Sequence, residues 1–182
     1  MCVFGDGAAN QGTFGETLNI AALWNLPVVF MVTNNRFGMG TALERHAAQP
    51  DLHKRGEGYG VPGLRCDGMD VGDTYTVMQE AIEKVREERT PILVEAVTYR
   101  FAGHSMADPE EYREKDDVKQ WREQHDPIQT FAAKLDDVDL DKLDAEATQT
   151  IDAAVEFAEA SDFPSAESIY DHVYVTGDQV RG

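Results

Sequence analysis

A continuous apolar run, PVVFMVTNN at residues 27–35, constrains the fold more than any other feature of the chain. Its apolar side chains do not alternate with polar ones and several are β-branched, which is typical of a strand buried on both faces. The segment before it, TFGETLNIAALWNL, places Phe14, Leu18 and Ala21 on one helical stripe. A helix followed by a strand that needs cover on both faces indicates an α/β fold.

The alternation of strand and helix patterns extends on both sides of that run. We predict a short buried strand at residues 2–4, a third strand around residues 64–66, a long helix at residues 71–88 and a fourth strand in PILVEAVTY. Asp70 is well placed to cap the long helix. These elements predict a parallel sheet with helices on both faces and right-handed crossovers, which would bind ligands at the carboxyl ends of its strands.

The pattern becomes purely helical from about Pro109. Helical patterns separated by Pro and Asp breaks lie around residues 116–124, 127–135 and 141–160. We therefore predict an α/β core at residues 1–110 and a helical C-terminal extension at residues 111–182. Because the first strand starts without the polar lead-in usual at a terminus, we expect the fold to lack an N-terminal part.

Charge and cysteine content exclude several classes of function. The 182 residues carry a formal net charge of −18, from 16 Lys and Arg against 34 Asp and Glu, so nucleic acid and anionic membrane are not expected partners. Only Cys2 and Cys66 occur, in no metal-binding spacing, which favours a reducing, cytoplasmic compartment. No apolar run approaches the ~20 residues of a membrane span.

Two polar residues follow the first two predicted strands. Asp6 lies between Gly5 and Gly7 after the first strand, and Asn35 follows the second. An isolated Gly-Asp-Gly is commonly just a turn. In a parallel sheet, however, both side chains would meet in one crevice, where their oxygens and a nearby main-chain carbonyl suit Mg²⁺ with a polyphosphate. The N-terminus of the following helix would add amide donors for an anion.

Four segments in order carry a resemblance to a known family: GDGAANQGTFGETLNIAALWNLPVVFMVTNN, NNRFGMGTALERHA, YGVPGLRCDGMDV and YRFAGHSMADPEEYR. The first is similar to the thiamine diphosphate motif. Together the four segments resemble the thiamine diphosphate-dependent 2-oxo acid dehydrogenase family. Within that family they are most similar to the α subunit of the pyruvate dehydrogenase E1 component. The resemblance covers nearly the whole chain and weakens after about Gln124.

The resemblance implies a role for each matching residue. Asp6, Asn35 and the carbonyl of Phe37 would bind Mg²⁺, and His104 would be the active-site loop histidine. Ser105 matches a serine that kinases phosphorylate in mitochondrial relatives, but the composition gives no sign of mitochondrial origin, so an ordinary loop hydroxyl is expected. The implied cofactor-binding residues are Gly5, Asp6, Gly7, Ala8, Asn35, Phe37, Gly38, Met39 and His104.

The implied activity is oxidative decarboxylation of pyruvate with acetyl transfer to the lipoyl group of E2. The implied partners are an E1 β subunit, in an α2β2 assembly, and the lipoyl domain of E2. Two alternatives stay open: an E1 α subunit for branched-chain 2-oxo acids or acetoin, and a non-catalytic, incomplete domain that acts only in assembly. The isolated chain is expected to be inactive.

Overall fold

The computed structural model describes residues 1–171 and 173. In chain order the strands are β1 (Cys2–Gly5), β2 (Val29–Asn34), β3 (Phe37–Gly38), β4 (Thr41–Ala42), β5 (Gly63–Asp67) and β6 (Ile92–Val97). The α-helices are α1 (Gly12–Leu23), α2 (Leu43–His46), α3 (Val71–Glu88), α4 (Lys115–His125), α5 (Pro127–Ala132) and α6 (Leu140–Ala160). Short 3-10 helices span Ala8–Asn10, Leu52–Tyr59 and Ala166–Tyr170.

The central sheet has four strands in the order β1-β2-β6-β5, and every neighbouring pair is parallel. Gly5 of β1 pairs with Thr33 of β2, and Asn34 of β2 pairs with Val97 of β6. The carboxyl ends of these three strands therefore meet at one edge. The predicted parallel sheet is confirmed.

Side chains of β2 alternate between two hydrophobic clusters, because successive residues of a strand point to opposite faces. Phe30 and Val32 belong to a cluster with Leu18 of α1. Val29 belongs to a second cluster, with Ala81 of α3. Helices thus cover both faces of the sheet, as the continuous apolar run requires.

Helix α3 begins and ends where its sequence predicts. The Asp70 carboxylate accepts hydrogen bonds from the backbone N–H groups of Gly72 and Asp73, which are free at a helix N-terminus. At the other end Arg89 adopts a left-handed conformation with φ of 52°, which stops the helix. Lys134, which follows α5, forms an ion pair with Asp70 at 2.8 Å.

Helices follow the last strand, in agreement with the predicted C-terminal extension. From residue 98 to residue 171 the chain forms helices and loops without a strand, and residues 172 and 174–182 of the predicted extension lie outside the described residues. Contacts divide the chain into compact units at Met1–Asp136 and Asp137–Gly182. Helices α4 and α5, which fall in the predicted extension, lie within the first of these units. No helix in the described part is long and apolar enough to cross a membrane.

Sequence patterns missed the small elements between β2 and β5. The antiparallel hairpin of β3 and β4 has only two residues in each strand, too few to show a period. The 3-10 helix Leu52–Tyr59 carries several charged and glycine residues, and only Leu52 and Gly56 are buried. The hairpin directly follows the carboxyl end of β2, and the 3-10 helix is joined to β6 by the hydrogen bonds between His53 and Glu95.

Candidate functional site

A cavity of about 620 Å³ opens at the carboxyl ends of β1 and β2. Its lining includes every predicted cofactor-binding residue: Gly5, Asp6, Gly7, Ala8, Asn35, Phe37, Gly38, Met39 and His104. Ser105 is not part of this lining. The remaining lining residues, which the sequence did not suggest, are Asn10, Thr33, Thr41, His46 and Arg100.

Asp6 is the most unusual of these residues because it is a buried carboxylate with an unpaired oxygen. The residue is 2% exposed, and its Oδ2 atom has no hydrogen-bond partner. The nearest cationic group is the ring of His46, whose Nε2 lies 3.5 Å from that oxygen. Burial raises the pKa of the Asp6 carboxyl, and backbone N–H groups of Asp6 and Gly7, with His46, oppose the rise.

Asn34 and Asn35 have separate roles. Asn34 is 2% exposed, and its side-chain amide donates to Glu95 Oε1 at 2.6 Å, within the sheet. Asn35 lines the cavity, and its Oδ1 accepts the backbone N–H of Phe37 at 3.2 Å. That bond closes a short turn around Arg36, whose φ is 65°. The turn brings Phe37 to the cavity, and the Phe37 ring packs against Tyr112.

The turn after β1 passes very close to the hairpin after β2. A Cβ atom added to Gly7 would lie 3.3 Å from the Cα of Gly38, tighter than ordinary van der Waals contact. A Cβ atom added to Gly38 would lie 3.4 Å from Nε2 of His46. A side chain at Gly7 would therefore push the two turns slightly apart, whereas a Cβ at Gly38 would reach only ordinary van der Waals contact.

The loop that follows β6 brings His104 to the same cavity. The Arg100 guanidinium donates to the carbonyls of Ala102, Gly103 and His104, so it closes the loop on itself. Asp108 accepts the backbone N–H of His104 at 2.8 Å. The backbone N–H groups of His104 and Glu110 hold the pKa of Asp108 below its usual value.

Asp108 and Arg100 are residues that the sequence analysis missed. Both lie in the quoted segment YRFAGHSMADPEEYR, and Asp108 follows His104 by four residues. Asp108 also accepts a hydrogen bond from the hydroxyl of Tyr112 at 2.9 Å, which ties the loop to the residue that packs on Phe37. Asp108 also accepts the backbone N–H of Glu110, two residues on, and an Asp directly before a Pro is the turn signal that could have revealed it.

The residues at the cavity fit a hard cation bound with a phosphate group. Within the described residues, no three side chains of His, Cys, Asp or Glu are grouped to hold a metal ion. The predicted ligands are of a different kind, one carboxylate with one amide and one main-chain carbonyl, and Mg²⁺ accepts such oxygen ligands. The unpaired Oδ2 of Asp6 is the observation that favours a cation, since a buried charge is normally paired.

Comparison with known proteins identifies the family. A sequence model of the family described as "Dehydrogenase E1 component" matches residues 1–167. The chain is similar to the protein named "Pyruvate dehydrogenase E1 component subunit alpha" of Rhizobium meliloti (strain 1021), with 43% identity over 176 residues, 93% of this chain and 51% of that protein. It is 42% identical to the protein of that name from Zymomonas mobilis subsp. mobilis (strain ATCC 31821 / ZM4 / CP4), over 94% of this chain and 50% of that protein.

The protein of the same name from Porphyra purpurea is 37% identical over 179 residues, 95% of this chain and 52% of that protein. The chain thus spans about half the length of the curated relatives it matches. Because the family model covers almost the whole chain, including the cavity residues, the chain belongs to the dehydrogenase E1 component family, which depends on thiamine diphosphate.

Proposed function

We propose that this chain supplies the metal- and diphosphate-binding part of an E1 α subunit that decarboxylates pyruvate and passes the acetyl group to the lipoyl group of E2. The observation that carries the proposal is the buried, unpaired Asp6 oxygen at a cavity between two parallel strand ends. A bound cation would satisfy that oxygen. In a thiamine diphosphate-dependent family, the cation expected there is Mg²⁺ with the cofactor's diphosphate.

Three residues would hold the metal: the carboxylate of Asp6, the side-chain oxygen of Asn35 and the main-chain carbonyl of Phe37. They come from two turns that Gly7 and Gly38 allow to approach closely. The backbone of Gly7 and Ala8, which begins the 3-10 helix before α1, lies at the cavity and would face the diphosphate. Met39 is 65% exposed at the cavity and would provide an apolar contact to the bound cofactor.

When bound, thiamine diphosphate supplies the carbanion that attacks a 2-oxo acid and the electron sink for the bond that releases CO₂. The contribution of His104 is to donate a hydrogen bond or a proton at the mouth of the cavity. Arg100 and Asp108 fix the backbone on either side of that histidine. This arrangement holds His104 at the cavity, where the residue is exposed.

Other parts of the site would come from outside this chain. We assign an E1 β subunit, in an α2β2 assembly, as the partner that completes the cofactor site, and the lipoyl domain of E2 as the acceptor of the acetyl group. Pyruvate is favoured as substrate over branched-chain 2-oxo acids and acetoin, since the relatives described above are named pyruvate dehydrogenase subunits.

The test is reconstitution of the natural polypeptide that carries this sequence with its E1 β subunit. Release of CO₂ from pyruvate, and acetylation of a lipoyl domain, would be measured with Mg²⁺ and thiamine diphosphate present or omitted. We expect activity only with both, and a higher kcat/KM for pyruvate than for branched-chain 2-oxo acids. Mg²⁺-dependent cofactor binding without any turnover would instead support the non-catalytic alternative. A higher kcat/KM for branched-chain 2-oxo acids than for pyruvate would assign those acids as the substrate.

A prediction for His104 tests mechanism separately from binding. His104→Ala should lower the rate of decarboxylation or of acetyl transfer by about 10² to 10⁴, the usual contribution of a positioned proton donor. Cofactor affinity should stay within a few-fold of the wild type, because His104 is exposed on a loop and is not a predicted metal ligand. Ser105→Ala is the matched control, since Ser105 does not line the cavity. An unchanged rate for His104→Ala would contradict the role.

A further inference from the structure

His46 is one of the lining residues to which the proposed function gives no role. It ends the short helix α2, and its ring reaches the cavity beside Asp6 and against Gly38. The side chain is largely buried, with 16% exposure. Its Nε2 atom has no hydrogen-bond partner, like the Oδ2 of Asp6 that it faces. Two unpaired polar atoms, one on each residue, therefore lie side by side at the cavity.

The hydrogen bonds of neighbouring residues determine which ring nitrogen of His46 carries the proton. Arg55 Nη1 lies 2.8 Å from the Oδ1 of Asn10. Because a guanidinium has only donors, the Asn10 atom that faces it must be the oxygen, and the amide nitrogen must be on the other side. That nitrogen lies 2.7 Å from Nδ1 of His46, so it donates and Nδ1 accepts.

An Nδ1 that accepts a hydrogen bond carries no proton, so the ring proton lies on Nε2. The chain from Arg55 through Asn10 to His46 thus presents an N–H donor to the cavity. Arg55 also donates to the backbone carbonyls of Ala9 and Gln49, which fix the position of its guanidinium at the start of this series of hydrogen bonds.

This donor has no adequate partner within the protein. The distance of 3.5 Å to Asp6 Oδ2 is longer than an ordinary N–H···O hydrogen bond, and both atoms remain unsatisfied. A proton on Nε2 also prevents that nitrogen from binding a cation. A cation can satisfy the Asp6 oxygen, and an anionic oxygen beside it can satisfy the His46 N–H. The pair is suited to a metal ion together with a phosphate oxygen.

We propose that His46 is a cofactor-binding residue whose Nε2–H donates to an oxygen of the diphosphate. This proposal rests on the proposed function, since it takes thiamine diphosphate with Mg²⁺ as the ligand. His46 would then act on the anion while Asp6 acts on the cation. Asn10 and Arg55 are positioning residues. Asn10 lines the cavity, but its side-chain oxygen and nitrogen already bond to Arg55 and to Nδ1 of His46.

The test measures the Kd of thiamine diphosphate in the natural polypeptide, assembled with its subunit partners, at increasing Mg²⁺ concentrations. His46→Ala should weaken binding by about 10- to 100-fold, as expected for a hydrogen bond to a charged group, and the loss should persist at saturating Mg²⁺. His46→Gln, whose amide can donate, should recover part of the affinity. Arg45→Ala is the matched control, because Arg45 is exposed on the same helix and does not line the cavity.

A second measurement tests the chain of hydrogen bonds directly. In a histidine-labelled sample without ligand, ¹⁵N NMR should show His46 with its proton on Nε2. Asn10→Leu removes the donor to Nδ1 and should give a mixture of the two ring forms and a several-fold weaker Kd. A ring proton found on Nδ1 in the wild type would overturn the proposal.

The outcomes separate this proposal from the proposed function. If the wild type shows no Mg²⁺-dependent binding of thiamine diphosphate, the proposed function fails and the assignment of His46 fails with it. If the wild type binds and His46→Ala binds equally well, only the assignment of His46 is overturned. A loss that disappears at saturating Mg²⁺ also overturns it, because His46 would then act through Asp6. Melting temperatures of the variants show whether they remain folded.

Discussion

Two buried carboxylates lie near the same edge of the sheet, and their surroundings differ sharply. Glu95 of β6 is 0% exposed and accepts three hydrogen bonds: from Asn34 Nδ2 at 2.6 Å, from the backbone N–H of His53 at 3.1 Å, and from His53 Nδ1 at 2.7 Å. Asp6, after β1, is 2% exposed, and one of its oxygens has no partner. Both carboxylates are buried, but only Glu95 has hydrogen-bond partners within the protein for both of its oxygens.

The difference indicates that Glu95 stabilises the fold, whereas Asp6 is kept for binding a ligand. Glu95 ties β2 and the 3-10 helix Leu52–Tyr59 to β6, so its hydrogen bonds stabilise the fold. Asp6 costs stability in the absence of a ligand, since a buried carboxylate with one unpaired oxygen is unfavourable. Proteins keep such groups where a ligand supplies the missing partner, and the cavity beside Asp6 is such a place.

The largest effect should follow from Asp6→Asn. This variant removes the charged ligand of the proposed Mg²⁺ site, so Mg²⁺-dependent binding of thiamine diphosphate should weaken at least ~100-fold, measured by calorimetry in the assembled protein. Without ligand, the free energy of unfolding at neutral pH should stay equal or increase. Equal cofactor affinity in variant and wild type would remove Asp6 from the site.

The sign of that stability change follows from the pKa. Burial raises the pKa of folded Asp6 above its value in the unfolded chain. Its stabilising contribution is therefore complete at low pH and is lost as pH rises through the raised value. Replacing it with a neutral amide removes this loss at neutral pH. A lower melting temperature for Asp6→Asn at pH 7 would show that the carboxylate is paired after all.

Glu95→Gln should show the opposite pattern. An amide can accept only part of the three hydrogen bonds, and one of its atoms is a donor that would face donors on Asn34 or His53. We expect the free energy of unfolding to fall by about 1–3 kcal/mol, measured by urea denaturation. Cofactor affinity measured well below the melting temperature should change less than threefold. A large loss of affinity with normal stability would place Glu95 in the site.

The features that depend on hydrophobic periodicity and on the parallel sheet were predictable from the sequence. The continuous apolar run of β2 required cover on both faces, and α1 and α3 provide it. The positions of Asp6 and Asn35 at the ends of adjacent strands followed from the parallel arrangement. The order β1-β2-β6-β5 was not predictable in the same way, because a strand's own pattern does not identify its neighbours.

The proposed role of His46 could not be predicted from the sequence either, because it depends on contacts with residues that are distant in the sequence. Its ring proton depends on Asn10 and Arg55, which lie 36 residues before it and nine after it, in two different 3-10 helices. Nothing in LERHA distinguishes it from an exposed helix-end histidine. Contacts between distant segments, unlike strand periods, appear only when the chain is folded.

The smallest predicted effect compares the two neighbouring asparagines. Successive residues at the end of a strand point to opposite sides, so Asn34 faces Glu95 while Asn35 lines the cavity. Asn35→Ala should weaken Mg²⁺-dependent cofactor binding about tenfold, less than Asp6→Asn because the lost ligand is neutral. Asn34→Ala should lower the free energy of unfolding by about 1–2 kcal/mol, since it leaves a Glu95 oxygen without its donor, and should change affinity less. Cofactor affinity and the free energy of unfolding should be measured for both variants. If each variant lost both affinity and stability, the surroundings of Asp6 and Glu95 would not be independent.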